Sequence, residues 1–415
     1  MKKIIYFFTF ILFVLNTLTI ENCIPQWVQK SFRINMYSNA YAFTSIGTKI
    51  IVSISDQIGI YSSTDYGENW DWANINIHEY PRIQSLVKKG TNIYAGSYYY
   101  GIYLSTNNGD TWVIVNNGLT NLSISSFAVS GEKVFAATFG GGVFLFSDSS
   151  QSWTAINNGL TSLYIYGLCA IDSNVFAGTQ GGLYRSTNYG GNWAPDSYGL
   201  PNLQYMPVHC FFSTGTYLFA GTSTNYYVIR STNCGGNWTL ANSGIIYDGN
   251  TFSLKDTNLF AGTYCGVFLS TNNGNNWLQK NQGLGLWEIF SLITVDNFIF
   301  AGTASHSVWR RDLNEILTLV QNSSNPVPEK YTLSQNYPNP FNPSTNIRYE
   351  IPKNEFVKLI VFDALGREVE TLVNEKQNSG TYEATFDASQ YSSGVYFYRL
   401  TTDNFSDTKK MLLIK

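Results

Sequence analysis

Charge is scarce in this chain: of 415 residues only 13% are Asp, Glu, Lys or Arg, and the formal net charge is −3. A basic stripe for nucleic acid, or a one-signed patch for a strongly charged partner, needs clustered charge that is missing here. Histidine is rarer still, with His78, His209 and His306 far apart, and these read as rim or core residues. The five cysteines, at 23, 169, 210, 234 and 265, form no Cys-x-x-Cys or Cys/His spacing that could close a zinc site. No metal and no cofactor is expected. The glycines of "TFGGGVF" at 138 to 144 lead into a strand, without the lysine and helix start that a phosphate loop requires. Beyond the N-terminus no apolar run is long enough to span a bilayer, so the mature chain should carry no transmembrane anchor.

Turn formers and aromatics are plentiful instead: 35 glycines, and 16% of residues are Phe, Trp or Tyr. The N-terminus "MKKIIYFFTFILFVLNTLTIENC" has two lysines, an apolar run from Ile4 to Leu15 and then polar residues, the layout of a secretory signal peptide over 1–22. Attachment of lipid at Cys23 would want small residues where Glu21 and Asn22 stand.

A repeat then dominates the chain. "SSTDYGENW", "LSTNNGDTW", "FSDSSQSW", "RSTNYGGNW", "RSTNCGGNW" and "LSTNNGNNW" end at Trp70, Trp112, Trp153, Trp193, Trp238 and Trp277, in steps of 42, 41, 40, 45 and 39 residues. Upstream of each lies "IVSI", "YAGS", "FAAT" or "FAGT", with a seventh such element at Phe300–Thr303 that no box follows. Each unit of about 41 residues holds four short runs of β-branched, aromatic and small residues between Gly, Ser, Asn and Asp clusters. A four-stranded sheet that size can bury both faces only between two neighbours, which is the logic of a propeller blade. Seven elements predict an all-β, seven-bladed β-propeller over 23–313. Its last blade lacks a fourth strand, while "PQWVQKS" precedes the first unit with Trp27 one period before Trp70. The N-terminal strand is therefore expected to close the ring.

The boxes resemble the Asp-box (BNR) pattern SxDxGxxW of sialidases, sortilin-type receptors, some xyloglucan hydrolases and photosystem II assembly-factor-like propellers. The resemblance covers roughly residues 25 to 313. Asp65 is the one true Asp; Asn107, Asn188, Asn233 and Asn272 replace it, and the third box has Ser149 and Gln151 at the Asp and Gly positions. Asn accepts backbone hydrogen bonds nearly as well as Asp, so the boxes read as structural turns whose Trp packs between blades, and the third turn should differ.

Composition shifts after Asp312. Six of the eleven prolines fall between Pro326 and Pro352, and no Trp follows Trp309. This predicts a linker over 314–330 and a small Ig-like antiparallel β-sandwich over 331–415, with runs such as "NIRYEIP", "FVKLIVFDA" and "GVYFYRLTT". "YPNPFNPSTNIRYEIP", "VFDALGREVETLV", "SGVYFYRL" and the terminal "KKMLLIK" resemble, in order, the type A C-terminal sorting domain of the type IX secretion system. That resemblance implies Sec export, then an outer-membrane translocon and sorting machinery as partners of residues 331–415. It also implies a surface or extracellular destination, often after removal of the domain and attachment to lipopolysaccharide. An ordinary adhesion or carbohydrate-binding module is the alternative.

Propeller enzymes place catalysis at the central channel, on the face built by connections between second and third strands and between blades; the boxes lie opposite. A sialidase-type arginine clamp is not supported, because "SFRIN" around Arg33 lacks the motif's proline and Arg185, Arg230 and Arg310 precede boxes or lie on outer strands. Glycoside hydrolysis needs two carboxylates within about 5–10 Å, and Asp56, Glu79, Asp248 and Glu288 are the candidates on that face. Aromatics are its main offer: Tyr98, Tyr99, Tyr226, Tyr227, Tyr264 and Trp287 lead a larger set with Tyr100, Phe139, Tyr164, Tyr166, Tyr205 and Tyr247. Exposed rings among Asn, Ser and Gln suit an extracellular glycan or protein ligand. The sequence thus points to a non-enzymatic binding protein, with a secreted glycoside hydrolase as the alternative.

Overall fold

The computed structural model describes residues 26–31, 33–56, 59–73, 76–78, 80–200, 206–223, 226–322, 330–377 and 379–414. The signal peptide, Cys23, Glu79 and Tyr205 lie outside them.

Seven four-stranded antiparallel sheets make up the first unit. The second strands, such as Asn174–Thr179 and Asn258–Thr263, are buried on both faces after their first residue, as a sheet sandwiched between neighbours requires. "FAGT" fits that position. Phe176 and Phe260 are fully buried, and a Cβ on the element's glycine would collide with the next blade: at Gly221 it would fall 2.0 Å from the Gly249 carbonyl. Apolar clusters consequently form between blades. One joins Tyr94, Ile102 and Leu104 to Ile124, Phe144 and Trp153; another closes the ring by joining Ile50, Val52 and Trp70 to Val295, Phe300 and Val308. The first strands of successive blades neighbour one another all the way round and line the central channel.

The last blade is assembled from both ends of the unit. Val28–Gln29 pairs with Trp309 and Arg310 on the strand Ser307–Asp312, and supplies the fourth strand. Outer strands elsewhere are two to four residues long, such as Asp71–Trp72 and Ser152–Ala155, which keeps the exposed edges too short to template pairing with other chains.

Each box is a self-satisfied turn between third and fourth strands. In the second, the Ser105 hydroxyl donates to Asn107 Oδ1 (2.9 Å) and accepts from the Gly109 amide (2.9 Å), while Asn107 Oδ1 also accepts from the Thr111 amide (3.0 Å). The same three bonds recur from Ser63, Ser186, Ser231 and Ser270. Asn108 and Gly109 both take positive φ (60° and 84°), which an Asn tolerates and a Gly adopts freely. The third box differs as its sequence implies: Ser147 bonds the Ser149 hydroxyl and the Ser150 amide, and Gln151 takes the positive φ.

The box tryptophans tie blades together by one rule. Each indole N–H donates to the carbonyl of the residue three beyond the preceding Trp: Trp70 to Lys30, Trp112 to Ala73, Trp153 to Val115, Trp193 to Ile156, Trp277 to Ala241, and Trp27 to Lys280, all at 2.6–2.8 Å. Trp238 is the exception. Its Nε1 makes no regular hydrogen bond, and it faces the side chain of Asp196, the residue at the equivalent place.

Past Asp312, in the segment expected to link the two units, residues Leu313–Asn322 form an α-helix with Glu315 in its first turn, where the helix dipole favours an acid. Leu313 and Ile316 are buried. The proline clustering marks the later part of the segment and hid this helix.

The second unit has a three-stranded sheet of Thr332–Leu333, Ser344–Ile351 and Gly380–Asp387. It also has a four-stranded sheet in the order Glu368–Gln377, Glu355–Phe362, Gly394–Thr401, Ser406–Leu413. Strict alternation turns Ile347, Tyr349 and Ile351 of one sheet and Val357, Leu359, Val361, Tyr398 and Leu400 of the other into one core. The "NYPNPFNPST" motif straps this sandwich. Tyr398 Oη donates to the Ser334 carbonyl and accepts from the Asn336 amide, and the Phe341 backbone bonds Leu412 of the final strand and Ile414 just past it.

Candidate functional site

Every first strand carries a β-bulge near its start, on the face opposite the boxes. The register slips between Ala40 and Ala42, and likewise at Ile83/Ser85, Ile124/Ser126, Ile165/Gly167, Val208/Cys210, Gly249/Thr251 and Ile289/Ser291. Bulges re-aim one side chain each, so the innermost strands present Tyr41, Gln84, Ser125, Tyr166, His209, Asn250 and Phe290 at the channel mouth, all half-buried. The backbone is sevenfold here and the side chains are not.

Aromatic rings continue round part of this mouth. Tyr98 lies 5.7 Å from Phe139, Phe139 5.8 Å from Tyr166, and Tyr166 5.6 Å from His209, so one arc crosses four consecutive blades. Across the seam, Tyr41 meets Phe290 at 5.4 Å. The arc has a charge at each end. The Arg82 guanidinium sits 4.4 Å over the Tyr98 ring and donates to Tyr99 Oη (3.2 Å); at the far end the Asp248 charge acts on His209. Burial holds His209 below its ordinary pKa against that charge. Arg82 and Tyr80 adopt positive φ (41° and 51°), a strained backbone of the kind that clusters at functional sites.

The hairpins beneath the rings are rigidly tied. Asn116 Oδ1 accepts from the Ile102 amide (2.7 Å) while its Nδ2 donates to the Tyr100 carbonyl (2.8 Å), and Asn157 and Asn281 do the same for their blades.

The aromatics picked out by sequence fall into different roles. Tyr98 and Tyr99 meet edge-on beside Arg82. Tyr264 is 54% exposed, and Trp287 stacks on His306 at 3.6 Å. Tyr226 and Tyr227 are half-buried and pack against the cores on either side of the fifth blade.

The carboxylates also separate. Asp56 accepts from the Gly59 amide (3.0 Å) and Tyr61 Oη (2.7 Å), so it shapes its own hairpin while lining a cleft of about 280 Å³ with Tyr41, Tyr80, Arg82 and Tyr99. Glu288 accepts from Asn250 Nδ2 (3.3 Å), and its carboxyl is pushed up by burial, partly offset by that bond. The Glu288 charge, then burial, then the Asp248 charge raise the Tyr264 phenol.

Sequence reasoning missed Tyr41, Arg82, His209, Asn250 and Phe290. The available signal was positional: in each unit the bulged residue follows an apolar or glycine residue and precedes a small one (Ala42, Ser85, Ser126, Gly167, Cys210, Thr251 or Ser291). The four described cysteines carry free thiols, and burial pushes those of Cys169 and Cys210 up to about 12, leaving them inert.

Residues 335–415 match the family model of the secretion system C-terminal sorting domain. The chain is accordingly a type IX-sorted protein of the cell surface or extracellular space, and its C-terminal domain addresses the secretion machinery. Among the described residues no helix is long and apolar enough to cross a membrane. No protein of curated function matches the chain.

Several solved structures share its fold at low identity. The extracellular domain of a protein described as a one-component system from B. thetaiotaomicron aligns at 15% identity with a TM-score of 0.59, over 80% of this chain and 45% of that one. YCF48 bound to D1 peptide aligns at 14% identity and TM-score 0.54, over 70% of this chain and 99% of that one. The GH74 xyloglucanase of Xanthomonas campestris aligns at 14% identity and TM-score 0.51, over 67% of this chain and 43% of that one. The chain thus spans less than half of the first and third. At such identities these likenesses establish the β-propeller fold alone.

Proposed function

We propose that the propeller is a non-enzymatic, extracellular binding module that takes a saccharide ligand across its bulge-bearing face. The observation that carries this reading is the arc Tyr98–Phe139–Tyr166–His209, a run of half-buried rings with phenol and imidazole groups in it and the amides of Gln84 and Asn250 at the same mouth. Pyranose rings offer apolar C–H faces to stack on and hydroxyls to hydrogen-bond, and the mouth supplies both partners. The sorting domain supports the setting, since it delivers the propeller to where glycans are met.

Glycoside hydrolysis is the second reading, favoured by the candidate carboxylates Glu288 and Asp248, with burial pushing the Glu288 carboxyl up in the direction a general acid needs. Titrating the protein against a polysaccharide panel while assaying reducing ends separates the two. Binding without product supports the module. Product released in proportion to protein, and abolished by Glu288→Gln, supports the hydrolase; no binding to any member removes both.

A further inference from the structure

Among the described residues Arg82 is the propeller arginine without an oxygen partner suited to its charge. Arg33 and Arg310 pair with Asp71 and Glu68, and Arg185, Arg230 and Arg311 donate to side-chain or backbone carbonyl oxygens. Arg82 instead rests on the rings of Tyr98 and Tyr99, donates through Nη1 to a neutral phenol, and keeps a buried Nε with no hydrogen-bond partner. Among the described residues it forms no ion pair. It does so at the wall of the 280 Å³ cleft and at one end of the aromatic arc.

A guanidinium clamped flat by aromatic rings is pre-oriented, and the acceptor that fits it best is a carboxylate, which can take two of its N–H bonds at once. The same cleft holds no second cation among its described lining residues but an acid, Asp56, whose carboxylate is fixed by bonds from the Gly59 amide and Tyr61 Oη. A cleft with a guanidinium, a fixed carboxylate acceptor and Tyr41, Tyr80 and Tyr99 around them matches a sugar that carries an acid group beside hydroxyls. Resting on the saccharide-binding reading above, we propose that the Arg82 cleft is the subsite for the carboxylate of a uronic acid residue, with the arc receiving the sugars that follow it. Beside Asp56, a sugar that brings hydroxyls along with its one carboxylate fits the cleft better than an acidic peptide side chain, which brings a carboxylate alone.

The test uses the full chain and calorimetric titration at low salt. The probes are galacturonate, mannuronate and glucuronate oligomers, each paired with its methyl ester, together with a neutral cello-oligomer and a glutamate-rich peptide. At least one acid should bind about tenfold or more tightly than its ester, a gap that added salt narrows. Arg82→Gln should erase the gap while neutral or esterified sugars still bind, and Arg82→Lys, which keeps the charge without the fork, should restore only part of it. Equal affinity for acid and ester overturns the subsite. So does a preference that survives Arg82→Gln, or tight binding of the peptide without any uronate. Loss of all saccharide binding, neutral ones included, instead marks failure of the parent reading.

Discussion

The two faces of the propeller use the same sevenfold backbone in opposite ways. On the box face, Ser–Asx–Gly turns repeat one set of hydrogen bonds five times and the Trp indoles close on carbonyls by one rule, so the polar groups of the turns are spent on one another. On the bulge face the backbone repeats just as faithfully, yet the seven bulged side chains are Tyr, Gln, Ser, Tyr, His, Asn and Phe. Side chains that repeat satisfy a requirement every blade shares, which is holding the next blade. Those that vary over an invariant backbone serve no requirement that all seven blades share.

The largest effect should come from breaking the box face. Trp112 is fully buried between blades and bonded to Ala73, so Trp112→Ala should cost about 3–5 kcal/mol, read by denaturant unfolding. Next is the one interface that departs from the rule. Burial pushes the Asp196 carboxyl from an ordinary 3.8 to about 6, against the opposing effects of Trp238 and the Arg185 charge. A carboxyl whose folded pKa is raised binds its proton more tightly in the native state, so stability falls as pH rises from about 4 to 6 and stays lowered above that. The two-unit shift corresponds to a penalty on the order of 3 kcal/mol at most near neutrality. Asp196→Asn should raise the melting temperature at pH 7 and flatten its pH dependence across that window relative to the native chain; an unchanged profile would show that Asp196 is not strained.

A single turn is worth less. Ser105→Ala removes one donor and one acceptor and should destabilise by about 1–2 kcal/mol in the same assay. Smallest is Tyr166→Ala on the other face, where a half-buried ring with few structural duties should change stability by no more than about 1 kcal/mol. If Tyr166→Ala proved as damaging as Trp112→Ala, the division between scaffold and ligand face would fail.

Sequence made the box face readable because its physics uses few residue types: a hydroxyl, an Asx oxygen, a glycine with positive φ and a large indole, at fixed spacing. The bulges left a fainter mark, since the bulged position accepts any residue type and only its neighbours recur, apolar or Gly before it and small after it. Arg82 escaped for a related reason. The sequence places it after Pro81 in a connection, and only the fold sets it over Tyr98. The helix Leu313–Asn322 was masked by the prolines beyond it. The candidate carboxylates have partners that sequence does not show: Tyr61 and Gly59 for Asp56, Asn250 for Glu288.

The most direct test compares two variants with the native chain on whichever polysaccharide of the panel binds best. One removes the centre of the arc, Phe139→Ala with Tyr166→Ala; the other alters a box, Asn107→Ala. Binding through the bulge face predicts a loss of about tenfold or more in affinity for the arc variant and native affinity for the box variant, with both still folded by circular dichroism. Native affinity in the arc variant, or a loss confined to the box variant, would contradict it.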